Sequence, residues 1–251
     1  MTLPVTPSFR LDGRRAVVTG AGRGIGLAAA AALGQAGAET WLLARSSDEI
    51  EAAAAQIGPL AHAAVLDVTD IAAVEAFFAG QPAFDILVNN AGTNRPKPLW
   101  EVSEVDYDAV LDLNLKSAYF VTQACVARMM AARVRGSLIH MSSQMGHVGG
   151  PNRSLYCASK WAMEGMNKAM ALDLASYGIR SNTIAPTFID TPLTRPMFGN
   201  EDFRRSVLGK IKLGRIGTVE DLMGAILFLA SDASALVTGT SLVVDGGWTA
   251  E

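Results

Sequence analysis

The sequence predicts an α/β fold: one doubly wound, parallel, seven-stranded sheet with helices on both faces, in a single domain. Three observations carry this. Short apolar runs alternate with helix-periodic segments from Ala16 to about Val244, the pattern of repeated βαβ units. At 251 residues, half of them hydrophobic, the chain can bury one large core without disulfides or metals. A glycine-rich turn, Thr19-Gly20-Ala21-Gly22-Arg23-Gly24-Ile25-Gly26, follows the first strand and opens straight into a helix, a context specific to phosphate-binding loops of such folds.

Strands are expected over Ala16–Thr19, Thr40–Leu43, Ala63–Leu66, Ile86–Asn89, Ser137–Met141, Ser181–Ile184 and Ser241–Val244. Helices are expected over Ile25–Gln35, Asp48–Gln56, Ile71–Phe78, Val105–Leu111, Lys116–Arg133, Leu155–Tyr177 and Val219–Ala230. Right-handed crossovers put these helices on both faces. No solenoid-period repeat or low-complexity linker divides the chain, so residues 1–251 read as one domain. The one long irregular stretch, Pro186 to Thr218, carries Pro192, Pro196, Gly199, Gly209, Gly214 and Gly217. Loops of that length are functional lids or disordered, and residues 187–217 are read as a lid with a short helix near Asp202–Leu208.

Net charge is −3 with 18% charged residues and no basic stripe, which excludes a nucleic-acid surface as the main function. The start, MTLPVTPSFRLDGRR, has no charged segment followed by an apolar core, and no apolar run approaches the roughly 18 residues of a membrane span. A soluble, cytoplasmic protein with no membrane partner is expected. Cys125 and Cys157 lack metal-like spacing and His62, His140 and His147 form no cluster, so the thiols read as free and no metal is expected.

In the first turn, Gly20, Gly22, Gly24 and Gly26 let the backbone approach a pyrophosphate, which the amides around Arg23 and Ile25 and the helix N-terminus would stabilise. The second strand ends in Ala44-Arg45-Ser46, without the carboxylate that would bind ribose hydroxyls. An arginine pairs with a ribose phosphate that an acid would repel. NADP(H) is therefore favoured over NAD(H), with Arg45 as main contact and Arg23 as a second; a surface arginine without a ligand is the alternative. Asp67, followed by Val68, is placed to accept from the adenine amino group, although a helix-capping aspartate would look the same.

The chemistry concentrates between Ser142 and Lys160. Tyr156 and Lys160, four apart on a helix, share a face. An ammonium near a phenol favours the phenolate, pulling down a pKa that starts near 10. The Ser143 hydroxyl, on the loop after the fifth strand, would hold a substrate oxygen beside it. Alone, such a pair is usually a packed ring and a solvated amine; beside a phosphate loop it reads as a proton donor and acceptor.

Together with Asn89-Asn90-Ala91-Gly92 and Tyr156-Cys157-Ala158-Ser159-Lys160, these residues make the chain resemble the short-chain dehydrogenase/reductase family, in its branch of about 250 residues, from Leu11 to Trp248. The motifs occur in order at matching separations: TGxxxGxG at Thr19, NNAG at Asn89, Asn114, Ser143, YxxxK at Tyr156, and a loop opening at Pro186. The resemblance implies a Rossmann-like fold and an NAD(P)-dependent oxidoreductase transferring hydride between nicotinamide C4 and a secondary alcohol or ketone. It implies that Tyr156 is the general acid or base, that Lys160 lowers its pKa and binds the nicotinamide ribose, and that Ser143 rather than Ser142 orients substrate. Asn114 would kink its helix and hold a water leading from Lys160. Asn90, Ala91 and Gly92 would line the adenosine-ribose side of the cofactor, and Pro186, Ile189 and Thr191 would contact its carboxamide and phosphates. Pro186-Thr187 replaces the usual Pro-Gly, which affects only the local backbone expectation.

For substrate, Gln144, His147, Asn152 and Arg153, with Asn94, Arg95 and Lys97, fit a sugar acid, polyol or short oxoacid. Phe188, Leu193, Met197 and Phe198 equally fit an apolar carbonyl or oxoacyl thioester. His147 is weighed as a second acid/base or substrate donor against a loop histidine without catalytic duty. A catalytically idle dinucleotide-binding or sensor protein is the alternative function. The apolar surplus on helices 116–133 and 155–177, with a tail Val243–Trp248 like that of tetrameric relatives, leads to an expected homotetramer.

Overall fold

In the computed structural model, which describes residues 2–250, seven parallel strands form one sheet. They are β1 (Arg15–Thr19), β2 (Glu39–Ala44), β3 (Ala61–Val65), β4 (Ile86–Asn89), β5 (Ser137–Met141), β6 (Arg180–Pro186) and β7 (Ser241–Val244). Their spatial order is β3-β2-β1-β4-β5-β6-β7. The order reverses between β1 and β4, which pair through Ala16–Ile86, Val17–Leu87 and Val18–Val88. In open α/β sheets, ligands enter at such a reversal, outside the carboxyl ends of the strands.

The helices are α1 (Gly24–Gln35), α2 (Ser47–Ile57), α3 (Ile71–Ala79), α4 (Glu104–Leu111), α5 (Ser117–Ala132), α6 (Ser154–Leu174), α7 (Glu201–Lys210) and α8 (Glu220–Ala230). Successive side chains of each strand point to opposite faces, and this alternation builds two cores. Ala16, Val18, Ile86, Val88, Ile139 and Met141 pack against Leu33 of α1, Ile50 of α2 and Ile226 and Leu229 of α8. Val17, Leu87 and Leu138 pack on the other face against Val74 and Phe78 of α3 and Val121, Cys125 and Met129 of α5. Burial on both faces is why these strands read as continuous apolar runs.

Most element ends shift by one to three residues, and three differences have a visible physical cause. β3 starts at Ala61, two residues early, because His62 faces Trp41 across the ladder and sets its Nε2 3.0 Å from Glu39 Oε1. The helices expected over 105–111 and 116–133 are one continuous run, joined by a π-helical turn over Asp112–Lys116; nothing in Leu-Asn-Leu breaks a helix, and periodicity does not register one inserted residue. The stretch 187–217 is more ordered than expected. Ile189 bridges Gly217, and α7, capped by Asn200, replaces the shorter helix expected at 202–208. Phe188 contacts Phe198, Phe203 and Trp248, anchoring this segment to the C-terminal tail.

A polar chain crosses the buried centre. Asn89 Nδ2 faces His140 Nδ1 at 3.2 Å, and His140 Nε2 faces Ser181 Oγ at 3.2 Å. Ser181 Oγ donates to Asn167 Oδ1 at 2.8 Å. With Ser181 donating onward and the Asn89 amide donating in, the ring accepts at Nδ1 and donates from Nε2, so only neutral imidazole fits. Burial first, and then the Lys160 charge, lower the His140 pKa from 6.5 to about 4. An unfolded chain takes up this proton at a higher pH than the native one, so stability is lost as pH falls from about 6.5 towards 4. We expect urea unfolding to lose about 2 kcal/mol between pH 7 and pH 5 from this group, and His140→Asn to flatten that slope. An equal slope in the variant would contradict the assignment.

Candidate active site

The carboxyl ends of the central strands open onto a cleft of about 560 Å³. Its floor begins at the turn after β1. Gly20 (φ +63°) and Gly24 (φ +58°) adopt left-handed backbone that L-residues disfavour. A Cβ on Gly26 would lie 2.2 Å from the Gly20 carbonyl oxygen and 2.5 Å from Asn90 Nδ2, so α1 starts in direct backbone contact with the turn. Gly26 thus sits beneath the cleft, while Gly20, Gly22, Arg23, Gly24 and Ile25 line it.

Thr19 joins this turn to the end of β4. Its Oγ1 accepts the backbone N–H of Asn90 (3.0 Å) and Ala91 (3.1 Å), and Asn90 Nδ2 donates to the Thr19 and Gly20 carbonyls. Asn90, Ala91 and Gly92 form the adjoining wall, and Pro186, Phe188, Ile189 and Thr191 the opposite one.

At one end of the cleft, Arg45 is 77% exposed along its side chain, with Nη1 4.0 Å from Asp67 Oδ2. Arg23 is similarly exposed and sits 3.3 Å from Glu49. Asp67 Oδ1 accepts from the Thr69 N–H and hydroxyl, the main reason its pKa lies below the ordinary value; Asp70, not Asp67, caps α3. Val68 lines the cleft beside it. Sequence reasoning passed over Ser46. It stands next to Arg45 at the N-terminus of α2, lines the cleft and makes no side-chain cap bond; the signal was a hydroxyl between a strand-end arginine and a helix start.

At the other end, α6 presents Tyr156 and Lys160 on one face. Lys160 is 5% exposed; its Nζ donates to the Met141 carbonyl at 2.7 Å and stands 5.6 Å from the Tyr156 ring centroid. Burial lowers its pKa to about 8 against the opposing charge of Glu164, leaving it mostly charged at pH 7. The expectation that Lys160 draws the phenol down is corrected here. Burial is the largest influence on Tyr156 and raises its pKa, while the Ser143 hydroxyl and the Arg153 charge oppose that rise. The ammonium is directed at a backbone carbonyl, and desolvation outweighs it.

Ser143 Oγ accepts from the Met145 N–H at 3.1 Å and donates to Gln144 Oε1 at 2.7 Å. Ser142 and Gln144 also line the cleft. Asn114 lies behind the wall, fully buried in the π turn. Its Oδ1 accepts from Thr93 N at 2.7 Å, and its Nδ2 donates to Thr93 O and Ser159 Oγ, so the side chain holds the segment after Gly92 against α6.

Two sets of expected substrate contacts are redirected. The short helical turn Gln144–Gly146 carries His147 away from the cleft, to Ser241 Oγ at 2.9 Å and Glu164 at 3.6 Å, which removes it as a substrate donor. Arg95 and Lys97 both turn to Asp106, at 3.3 and 2.6 Å. Arg153 does line the cleft.

Among the described residues, no cluster of His, Cys, Asp and Glu could hold a metal, and no helix is long and apolar enough to cross a membrane.

Comparison with known proteins agrees with this geometry. The family model described as enoyl-(acyl carrier protein) reductase matches residues 20–249. The chain is 40% identical over 248 residues to gluconate 5-dehydrogenase of Gluconobacter oxydans, covering 96% of each protein. It is 35% identical over 242 residues to L-xylulose reductase of Bos taurus, covering 96% of this chain and 99% of that one. A crystal structure of a gluconate 5-dehydrogenase from Burkholderia cenocepacia, in complex with NADP and tartrate, superimposes with a TM-score of 0.92 at 39% identity, over 97% of this chain and 98% of that chain. The doubly wound sheet, the glycine turn and these end-to-end matches place the chain in the short-chain dehydrogenase/reductase family, as an oxidoreductase.

Proposed function

We propose that the protein is an NADP(H)-dependent oxidoreductase interconverting a secondary alcohol and its ketone, on a substrate of sugar-acid, polyol or oxoacyl type. The observation that carries this reading is one cleft lined by a glycine turn and exposed Arg45 at one end and by Ser143, Tyr156 and Lys160 at the other. The close backbone approach at Gly20 and Gly26 fits a pyrophosphate, and Arg45 with Ser46 fits a ribose phosphate better than ribose hydroxyls. The bound dinucleotide would supply the carbon that gives or takes the hydride. Relatives named for gluconate and xylulose, and one solved with NADP and tartrate, support both the cofactor and a hydroxylated substrate.

In reduction, the protonated phenol of Tyr156 donates to the carbonyl oxygen; in oxidation the phenolate takes the hydroxyl proton back. Its raised pKa keeps the proton in place at neutral pH. The phenolate left after donation would face the Lys160 ammonium, 5.6 Å from the ring centroid. Ser143 would exchange its bond to Gln144 for one to the substrate oxygen, and Lys160 would hold the nicotinamide ribose. Gly92 and Thr93, clamped by Asn114, fix the wall beside the ring, Thr191 and the Asn90 to Gly92 turn hold the cofactor, and residues 187–217 serve as the lid. A cytoplasmic location is proposed on the unpaired Cys125 and Cys157.

We further propose a homotetramer built through α4, α5 and α6, whose Tyr107, Tyr119 and Trp161 are 52%, 46% and 54% exposed. Light scattering at micromolar concentration should return four chains per particle; a monomer would refute it. Tyr156→Phe should lower kcat by about 10²- to 10⁴-fold while dinucleotide affinity, read by calorimetry, changes little. Turnover like that of wild type would reject the proton-transfer role. Arg45→Ser should lower kcat/KM with NADPH by roughly 10- to 100-fold, with a smaller change for NADH. A wild-type preference for NADH would rule out the phosphate contact.

A further inference from the structure

The cations near the substrate end of the cleft differ in what they already bind. Arg95 and Lys97 share Asp106, and Lys160 donates to the Met141 carbonyl. Arg180, the other arginine deep in the fold, donates to the carbonyls of Leu229, Ser231 and Val237. Arg153 is different. The residue is 7% exposed, its side chain lines the cleft, and among the described residues its guanidinium has no hydrogen-bond acceptor and no carboxylate partner.

The fold holds it there deliberately. Asn152 adopts a left-handed backbone (φ 59°), and its carbonyl accepts from Lys97 N at 3.2 Å, fixing the chain just before Arg153. The Arg153 carbonyl accepts from Cys157 N at 2.8 Å, so its backbone forms the first turn of α6, three residues before Tyr156. Burial lowers its pKa, but guanidinium does not give up its proton in proteins. Its guanidinium nitrogens are not sealed inside the protein but reach the cleft, so an anion entering there can pair with them. The N-terminus of α6 adds positive potential at the same place.

We propose that Arg153 is the specificity-determining anchor for a carboxylate, and that the substrate is therefore a hydroxy acid or the corresponding oxo acid, its carboxylate on Arg153 and its reacting oxygen towards Tyr156 and Ser143. This rests on the oxidoreductase reading above. Arg153 acts on binding and register. A neutral polyol of equal length lacks the ion pair, and a sugar phosphate carries its charge on a bulkier, tetrahedral group.

The test uses the full chain with three probes: D-gluconate, D-glucitol and D-glucose 6-phosphate. Binding is read by calorimetry and by the ligand-induced shift in Tm, and turnover is measured with both dinucleotides. Wild type should bind gluconate in preference to the other two. Arg153→Met should weaken gluconate binding and raise its KM by roughly 100-fold, with an effect on glucitol at least tenfold smaller, and Arg153→Lys should recover part of the loss. Without ligand, Arg153→Met should melt no lower than wild type, because no protein partner is lost. Gluconate should raise the Tm of wild type and not of the variant. A ligand-free Tm lowered by several degrees would make Arg153 a structural residue, and equal losses for gluconate and glucitol would make it part of the general machinery. Either result overturns the proposal, as does wild-type preference for glucitol or the phosphate, or no gluconate binding. If gluconate binds through Arg153 but no probe is turned over, the oxidoreductase reading fails and the anchor stands.

Discussion

The cleft depends on a short cross-link between β1 and β4. Strand order reverses between them, so two turns that are 70 residues apart in sequence must share one crevice. Thr19 and Asn90 tie them with side-chain to backbone bonds in both directions, satisfying groups that the strand ends would otherwise leave open. Gly26 then allows α1 to descend onto this knot with no side chain between. A methyl group there would collide with a carbonyl oxygen, which cannot move without opening the knot. The phosphate-binding geometry is thus a consequence of how the sheet is wound.

Beneath the other half of the cleft, the buried chain from Asn89 through His140 and Ser181 to Asn167 links β4, β5, β6 and α6. Its donors and acceptors run in one sense, and it lies under the strand ends that carry Asn90 and Ser142. Such a fully satisfied network rigidifies its surroundings. Rigid strand ends are what a proton-transfer site needs, because a misplacement of 1 Å is costly to rate.

Much of this was legible beforehand, for a physical reason. Strands buried on two faces are rich in apolar residues, and β4 and β5 match their expected limits residue for residue, as does the partly exposed edge strand β7. Glycines forced by close approach stand out as a motif, and the cofactor end of the cleft follows from them. What escaped depends on side-chain direction. His147 and Arg153 lie in the same loop with equal polarity, yet one turns to Ser241 and the other lines the cleft. Arg95 and Lys97 could not be assigned until Asp106 was seen to take both. The sign of the Tyr156 shift was also hidden, since spacing shows that an ammonium is near but not that burial outweighs it.

Helix α6 brings these strands of argument together. Tyr156, Lys160 and Glu164 are spaced four residues apart, so they fall along one stripe of the helix with successive rises of about 6 Å, and Arg153 stands at its N-cap. Glu164, at the buried end, accepts from Thr183 and Ser241 and so fixes the helix against β6 and β7. It also keeps Lys160 charged against the pull of burial. The helix thus carries an anion that anchors it, a cation committed to the strand end and the phenol that lines the cleft, with Arg153 at its cap. Arg153 caps the helix with non-helical backbone (φ −129°, ψ 17°), and the bond from Cys157 N to its carbonyl fixes that backbone relative to the phenol while the side chain keeps its own rotamers.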